Sequence, residues 1–478
     1  MTMLDFEPCS VALLKRMAPF FRGLSVRSSD LSMGMIWMWR GEQEPQICVR
    51  NDTMVLRQIM NGYPAYTWPI GPDVDGMLDA LLQQVREEDI ALRFFSMEEE
   101  TVQQLLGDPR FDGTMWGYDR RWSDYLYSFD RLCAMDGGEL SKIRNRINHF
   151  VHLYGEPEIR ALLPEHLPQA TALLDAYAGE HTDMDKLEKA ELRHSRELLS
   201  VCHALGLPAA GLWIEGALAG FSIGEIVGET LIIHVEKALV RYEDIYPVIL
   251  QGFARYVRRC CPRPLKYLNR EDDSGDAGLR EAKNAYHPIA IAHKYQAHVH
   301  TPGAKVAEYP VLQTGKGIVL TAFRETDKEA YFRLNTDREN NLWWGYDYEE
   351  DYTVPGHPDE ETFYTSVMFD MAVGDSMNFA VREQEDGPMI GEGLLWNFTD
   401  AGSAEVGMRL LPEYQGKGIS AIAGPALIRY AEKGLGMTTR AKCRNSPDNG
   451  NAIYSAIAAG FRERRRDDTW IYLDRVKE

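Results

Sequence analysis

Cysteine is scarce in this sequence: seven among 478 residues (Cys9, Cys48, Cys133, Cys202, Cys260, Cys261 and Cys443), odd in number and without a C-x-x-C spacing. That argues against a disulfide framework and against a cysteine-held structural zinc. A reducing, cytoplasmic setting is expected. No run of about 18 apolar residues occurs, so a membrane span and stable membrane insertion are not expected. The opening Met-Thr-Met-Leu-Asp-Phe-Glu-Pro has neither the basic nor the apolar region of a secretory signal. Positive charge is also in deficit, 52 Lys and Arg against 72 Asp and Glu, for a net charge of −20. A field of that sign repels nucleic acid and anionic membranes at long range. Local basic stretches at 142–146 and 255–270 remain, and each reads equally as a solvated face.

What is present is the balance of a globular protein, 45% apolar and 26% charged. Three passages follow one order of elements. Around 211–258 come strands at 211–215, 219–225 and 230–235, turns at Gly216 and Gly228, and an apolar helix from Pro247. Around 378–433 come strands at 378–381, 390–398 and 405–411, turns at Gly387-Pro388 and Gly402, and a helix to Glu432. A more degenerate copy has strands at 36–39, 46–51 and 53–59 and a helix at 77–85. Alternating β-branched and aromatic residues between Gly, Asp and Asn are the strand and hairpin signals. None of the copies alternates strictly as βαβ. The expected fold class is therefore mixed α/β (α+β), with three lobes, each a mixed, mostly antiparallel sheet with helices on both faces. The expected units are 1–150, 151–300, a Pro- and Gly-marked linker at 301–316, and 317–478.

The chemistry-bearing turn is Gln415-Gly416-Lys417-Gly418-Ile419-Ser420, after the strand at 405–411 and at the head of a helix. Its glycines let successive N–H groups converge on one point. The helix adds its unpaired N–H groups and the positive end of its dipole. An anion such as a pyrophosphate fits there. Taken alone, the turn reads better as an ordinary strand-to-helix connection.

Its surroundings extend the pattern. Downstream lies Asn449-Gly-Asn-Ala-Ile-Tyr-Ser-Ala-Ile-Ala-Ala-Gly460-Phe461, then a final strand Thr469-Trp-Ile-Tyr-Leu. Together these resemble the two signatures of the GNAT superfamily of N-acyltransferases over 317–478. The resemblance implies acetyl-CoA, or another acyl-CoA, as cofactor, held around Met408, Leu410, Gln415, Gly416, Lys417, Gly418, Ile419, Ser420 and Asn449. It also implies a primary amine of a small molecule or protein as acceptor. Several residues depart from the family pattern. Ser420 stands where Gly or Ala is usual, and Gly424-Pro425 is expected to kink the helix or shift its start. The family's frequent tyrosine acid falls on Ala456, with Tyr454 and Ser455 nearby but not matching.

N-acyl transfer needs a base and donors for the oxyanion. Glu405, near the place where family members carry a base, is the candidate, with Ser455 and Tyr454 beside it; a solvent-facing strand glutamate is the alternative. Trp343, Trp344, Tyr346 and Asp347, in the segment 341–351, either cage a cationic amine or are core aromatics with an acidic flank.

The first 300 residues carry Ser29-Asp-Leu-Ser32, Trp37-Met-Trp39-Arg40, Asp124-Tyr-Leu-Tyr127, His234-Val-Glu236-Lys237-Ala238, Tyr267-Leu-Asn269-Arg270-Glu271-Asp272, Asp276-Ala-Gly278-Leu279-Arg280, Lys283 and Tyr286-His-Pro288. This series resembles the C-terminal-domain family of phosphatidylglycerol lysyltransferases. It implies two fused GNAT-like lobes, and membrane-bound relatives that move an amino acid from aminoacyl-tRNA to a lipid headgroup. After the Glu236 strand stands Arg241-Tyr-Glu243-Asp244 rather than a glycine loop, and its acids repel a pyrophosphate. Asn269, Arg270 and Glu271, with Arg280 and Lys283, either line a polar substrate cleft or form a structural ion-pair network. Three functions follow: acetyl-CoA-dependent N-acyl transfer, aminoacyl transfer from tRNA through the first 300 residues, and non-catalytic sensing of acyl-CoA.

Overall fold

The computed structural model describes residues 3–24, 27–181, 184, 186–348, 359–446 and 449–475. Three sheets organise them. The first orders Glu7–Pro8, Gln46–Arg50, Thr53–Met60, Tyr63–Tyr66, Arg93–Met97, Tyr295–His298 and Met115–Tyr118 side by side. The second orders Ala290–Ala292, Asp124–Ser128, Tyr267–Asn269, Thr230–Ala238, Ala217–Val227, Ala209–Ile214 and Glu158–Ala161. The third orders Leu312–Gln313, Val319–Thr321, Ser376–Arg382, Gly391–Trp396, Ser403–Leu410, Thr438–Arg444, Trp470–Arg475 and Phe461–Arg466.

Among the described residues each sheet has a single parallel pair and is otherwise antiparallel. These pairs are Tyr63–Tyr66 with Arg93–Met97, Thr230–Ala238 with Tyr267–Asn269, and Ser403–Leu410 with Thr438–Arg444. A parallel pair needs a crossover, and a helix supplies it each time: Val74–Glu88, Ile245–Cys260 and Ile419–Arg429. The fold is thus mixed α/β with three mostly antiparallel sheets, as the three similar passages imply.

Two local expectations are corrected. The strand expected at 36–39 is part of a helix, Met33–Met38. Its start is fixed locally by Ser32, whose hydroxyl accepts from the Met35 N–H at 3.3 Å. It is fixed at long range by Glu225, whose carboxylate accepts from the N–H groups of Met33 (3.1 Å) and Gly34 (2.8 Å). A carboxylate on the orphan donors of a first turn favours helix, and its source lies in the second sheet. At Gly424-Pro425 the shifted start is not found: the helix begins at Ile419 and runs through Pro425 to Arg429. Within the linker, Leu312–Gln313 pairs with Val319–Thr321 as the edge of the third sheet.

The first two sheets share one core, in which Leu13, Phe21 and Met33 pack with Trp213, Phe221 and Val235. The third sheet has its own, where Met377, Phe379 and Leu395 meet Ile419, Ala423 and Leu427 of the crossover helix. A buried bidentate pair braces it: Arg382 is 1% exposed and Asp327 2%, at 2.6 Å. Against the first sheet the third is held by polar pairs, Arg93 with Asp375 at 3.2 Å and Arg440 with Asp89 at 2.9 Å.

Candidate functional site

In the third sheet, alternation sends Val406, Met408 and Leu410 toward the crossover helix, and Val406, Met408 and Leu410 join its core. Glu405, Gly407 and Arg409 therefore face the opposite side. Pairing of Ser403–Leu410 with its parallel neighbour runs from Ser403↔Thr438 to Glu405↔Arg440 and stops. On the other side the same strand stays paired to its end, Leu410↔Gly391. Beyond Glu405 the two parallel strands part, and alternate backbone N–H and C=O groups along 406–410 lose their strand partner there.

The 415–420 loop closes the wide end of this split. The Gln415 side-chain amide donates to the Leu410 carbonyl at 3.0 Å, tying loop to strand. Gly416 (φ +69°) and Gly418 (φ +76°) are both left-handed, and Gly418 caps the helix that starts at Ile419. A Cβ on either glycine would meet no atom within 4 Å. The glycines are thus needed for backbone conformation, and the space in front of them is open. Lys417 lies over the Tyr414 ring at 5.1 Å, Ile419 is buried, and Ser420 is half-buried. Asn449 is buried at the head of the helix Gly450–Ala458, its amide donating to the Arg444 carbonyl at 3.1 Å.

The opposite face carries Glu405, which accepts from the Asn397 amide at 3.0 Å. Trp344 stacks at a tilt on Trp396, ring centres 5.6 Å apart, and both fill the space a Cβ of Gly407 would take. Beneath them Arg409 is fully committed: to Glu392 at 2.8 Å, Asn341 at 2.9 Å and Asn335 at 3.1 Å. This buried network anchors the turn bearing Trp343, Trp344 and Tyr346 to the sheet. Asp347 pairs with Arg338; residues 349–351 of that segment lie outside the described residues. Further along, Lys442 sits over Trp470 at 4.1 Å, and Arg444 over the same ring at 4.5 Å. Burial pulls the Lys442 ammonium below its ordinary range, against the opposing pull of Glu405 and Asp467.

Tyr454 and Ser455 are not brought to Glu405. Their helix packs through Ile453 and Ala456 on the Val406 and Cys443 side of the sheet, and Tyr454 is 75% exposed. Trp396, Arg409, Lys442 and Trp470 were missed by sequence reading; strand alternation from Glu405 would have placed Arg409 on its face.

In the first two lobes, Asn269 is fully buried, donating to the Arg27 carbonyl at 2.7 Å and to Asp124 at 2.8 Å. Glu271 pairs with His234 at 2.9 Å, and Glu225 flanks the same ring at 3.5 Å. Burial alone would lower the His234 pKa, but the two carboxylates outweigh it and lift it to about 9. Arg270 pairs with Glu236 at 3.3 Å, and Lys294 with Asp30 and Asp124 at 2.7 and 2.9 Å. Much of this cluster is a satisfied ion-pair network, yet Glu236 Oε2 and Arg270 Nη1 are buried without a hydrogen-bond partner. At the head of the Ile245–Cys260 helix, where a pyrophosphate would sit, Asp244 pairs with Arg146 at 2.6 Å and His149 at 3.1 Å.

The parted parallel strands, glycine loop and crossover helix define a GNAT acetyltransferase domain, whose family profile matches residues 318–462. The chain belongs to the family of phosphatidylglycerol lysyltransferase C-terminal domains, whose profile matches residues 21–298. A conserved protein of unknown function from Bacteroides thetaiotaomicron is 26% identical, with 62% of this chain covering 100% of that one at a TM-score of 0.58. L-PGS from Bacillus licheniformis is 12% identical, over 62% of this chain and 93% of its own, TM-score 0.44. Spermidine N-acetyltransferase from Vibrio cholerae, solved with CoA and spermine, is 17% identical over 33% of this chain and 92% of its own, TM-score 0.28. No curated protein matches. Among the described residues no helix is long and apolar enough to cross a membrane.

Proposed function

We propose that the protein is an acetyl-CoA-dependent N-acyltransferase acting on a primary amine through its third lobe. The observation that carries this is the strand split beyond Glu405, ending on a glycine loop with open space before it. Acetyl-CoA supplies an activated acyl thioester. The backbone N–H groups of Gly416, Gly418 and Ser420 hold its pyrophosphate, and the freed edge along 406–410 receives the extended part of the molecule. Glu405 takes the proton from the attacking amine as the N–C bond forms; the C–S bond then breaks, and the coenzyme A leaves as a thiolate that takes its proton from solvent. The unpaired strand N–H groups are placed to hold the charge on the carbonyl oxygen.

Thiol release from acetyl-CoA, followed over a panel of primary amines, tests this directly. With an amine that turns over, Glu405→Gln is expected to lower kcat by about 100-fold or more with little change in KM, the range for loss of a general base. Acetyl-CoA binding without turnover of any amine would leave a sensor instead.

The unpartnered Glu236 and Arg270 atoms favour a second reading, aminoacyl transfer from tRNA through the first two lobes, since buried polar atoms are rarely left unbonded. It requires tRNA binding that weakens steeply with salt and is untouched by Glu405→Gln. Filter binding that shows no retained tRNA at physiological salt would remove it.

A further inference from the structure

One row of directly opposed residues crosses the third sheet: Ser376, Trp396, Glu405, Arg440, Asp474 and Arg462. The first lobe abuts this row. Asp89, at the C-terminal end of the Val74–Glu88 helix, pairs with Arg440. The hairpin between Thr53–Met60 and Tyr63–Tyr66 turns at Asn61 (φ +50°) and Gly62 (φ +80°). Two successive left-handed residues are the type I′ geometry, a stiff turn matched to strand twist. It presents Tyr63 with its ring under Arg93 at 4.4 Å, and Arg93 is itself held by Asp375 beside the row. The Tyr63 hydroxyl lies within electrostatic reach of Trp396, Glu405 and Asp375.

Four polar atoms on this face are buried and without a hydrogen-bond partner among the described residues: Asp89 Oδ1, Arg440 Nε, Arg444 Nε and Asp474 Oδ1. Of these, Asp89 Oδ1 and Arg440 Nε lie where the two units meet, and unsatisfied groups there call for a polar ligand or ordered water. We infer that the amine acceptor is bound in a composite cleft, the Glu405 face of the third sheet on one side and the Tyr63 hairpin with Asp89 of the first lobe on the other. This rests on the proposed acetyl transfer and narrows it. The acceptor is a compact, polar amine, because the first lobe closes the Glu405 end, and the N-terminal region selects it. Tyr63 is a specificity-determining and positioning residue. Burial, with the Glu405 and Asp375 carboxylates, pushes its hydroxyl well above the ordinary range, so it stays protonated and offers a donor.

The test uses the full chain. Thiol release is measured for wild type, Tyr63→Ala and Tyr63→Phe with ethanolamine, lysine, glucosamine, spermidine and a short peptide. Tyr63→Ala is expected to shift kcat/KM toward the bulkier amines by about tenfold or more, the usual effect of pocket volume. Tyr63→Phe keeps the wall and therefore the wild-type order. An unchanged order in folded Tyr63→Ala overturns the composite cleft while transfer itself stands. In parallel, calorimetric titration of each amine into acetyl-CoA-loaded wild type and Tyr63→Ala reads binding without turnover. Binding of an amine that is not acetylated, weakened about tenfold or more by Tyr63→Ala, keeps the cleft and overturns the transfer reading; no binding and no turnover across the panel overturns both.

Discussion

Gly418→Trp is expected to abolish acetyl-CoA binding, with the dissociation constant raised more than about 100-fold, or about 2.7 kcal/mol. The reason is geometric. Gly418 is left-handed at the helix cap, and the space before it is open. A Cβ there meets no atom within 4 Å, so the fold is expected to survive at a strain cost of about 1–2 kcal/mol for a side chain in the left-handed region. The indole does fill the volume toward which the N–H groups of the loop point. Ser420→Ala keeps its N–H and is expected to bind within about threefold of wild type, because the backbone carries the interaction. Calorimetric titration of the full chain checks both variants. Binding by the tryptophan variant that matches wild type would place the cofactor elsewhere.

The second large effect concerns stability. Asp327→Ala removes both carboxylate oxygens from Arg382, which Asp327 holds at 2.9 and 2.6 Å. Only the Thr321 hydroxyl and the Gly387 carbonyl then remain to it, at 2.8 and 2.9 Å. An uncompensated guanidinium at 1% exposure costs about 3–5 kcal/mol. For a unit of this size each kcal/mol moves Tm by about 2–4 °C, so the transition of the third lobe falls by about 6–20 °C. Replacing both partners together, Asp327→Leu with Arg382→Met, is expected to recover most of the loss, since no charge is then stranded. Scanning calorimetry of the full chain reads the transition. A single variant within about 1 kcal/mol of wild type would mean that solvent reaches Arg382.

For a reader of the sequence alone, the 415–420 loop and the strands around it were legible because their signals are local. Glycines mark the left-handed turns, and alternation marks a strand with two unlike faces. The same alternation put Glu405 on one face and Met408 on the other. What it did not reveal was the company Glu405 keeps. Trp396 reaches it by hairpin pairing, Arg440 by a parallel crossover, and Tyr63 from more than 300 residues upstream in a different sheet. The segment 36–39 has the alternation of a strand, yet Glu225 from the second sheet caps it into a helix. Asn269, Arg270 and Glu271 were visible as a polar run. Whether such a run is a cleft or a set of buried pairs depends on partners that sequence spacing does not supply.

By itself, then, the sequence determined the class of sheet, the repeated order of elements, and a two-glycine turn at the head of a helix, since each is written in neighbouring residues. Only the tertiary structure decided that the parallel strands part beyond Glu405, that Tyr454 faces solvent, and that Asp89 of the first lobe pairs with Arg440 of the third. These are consequences of contacts between distant segments, where packing and charge pairing across sheets override what any local window prefers.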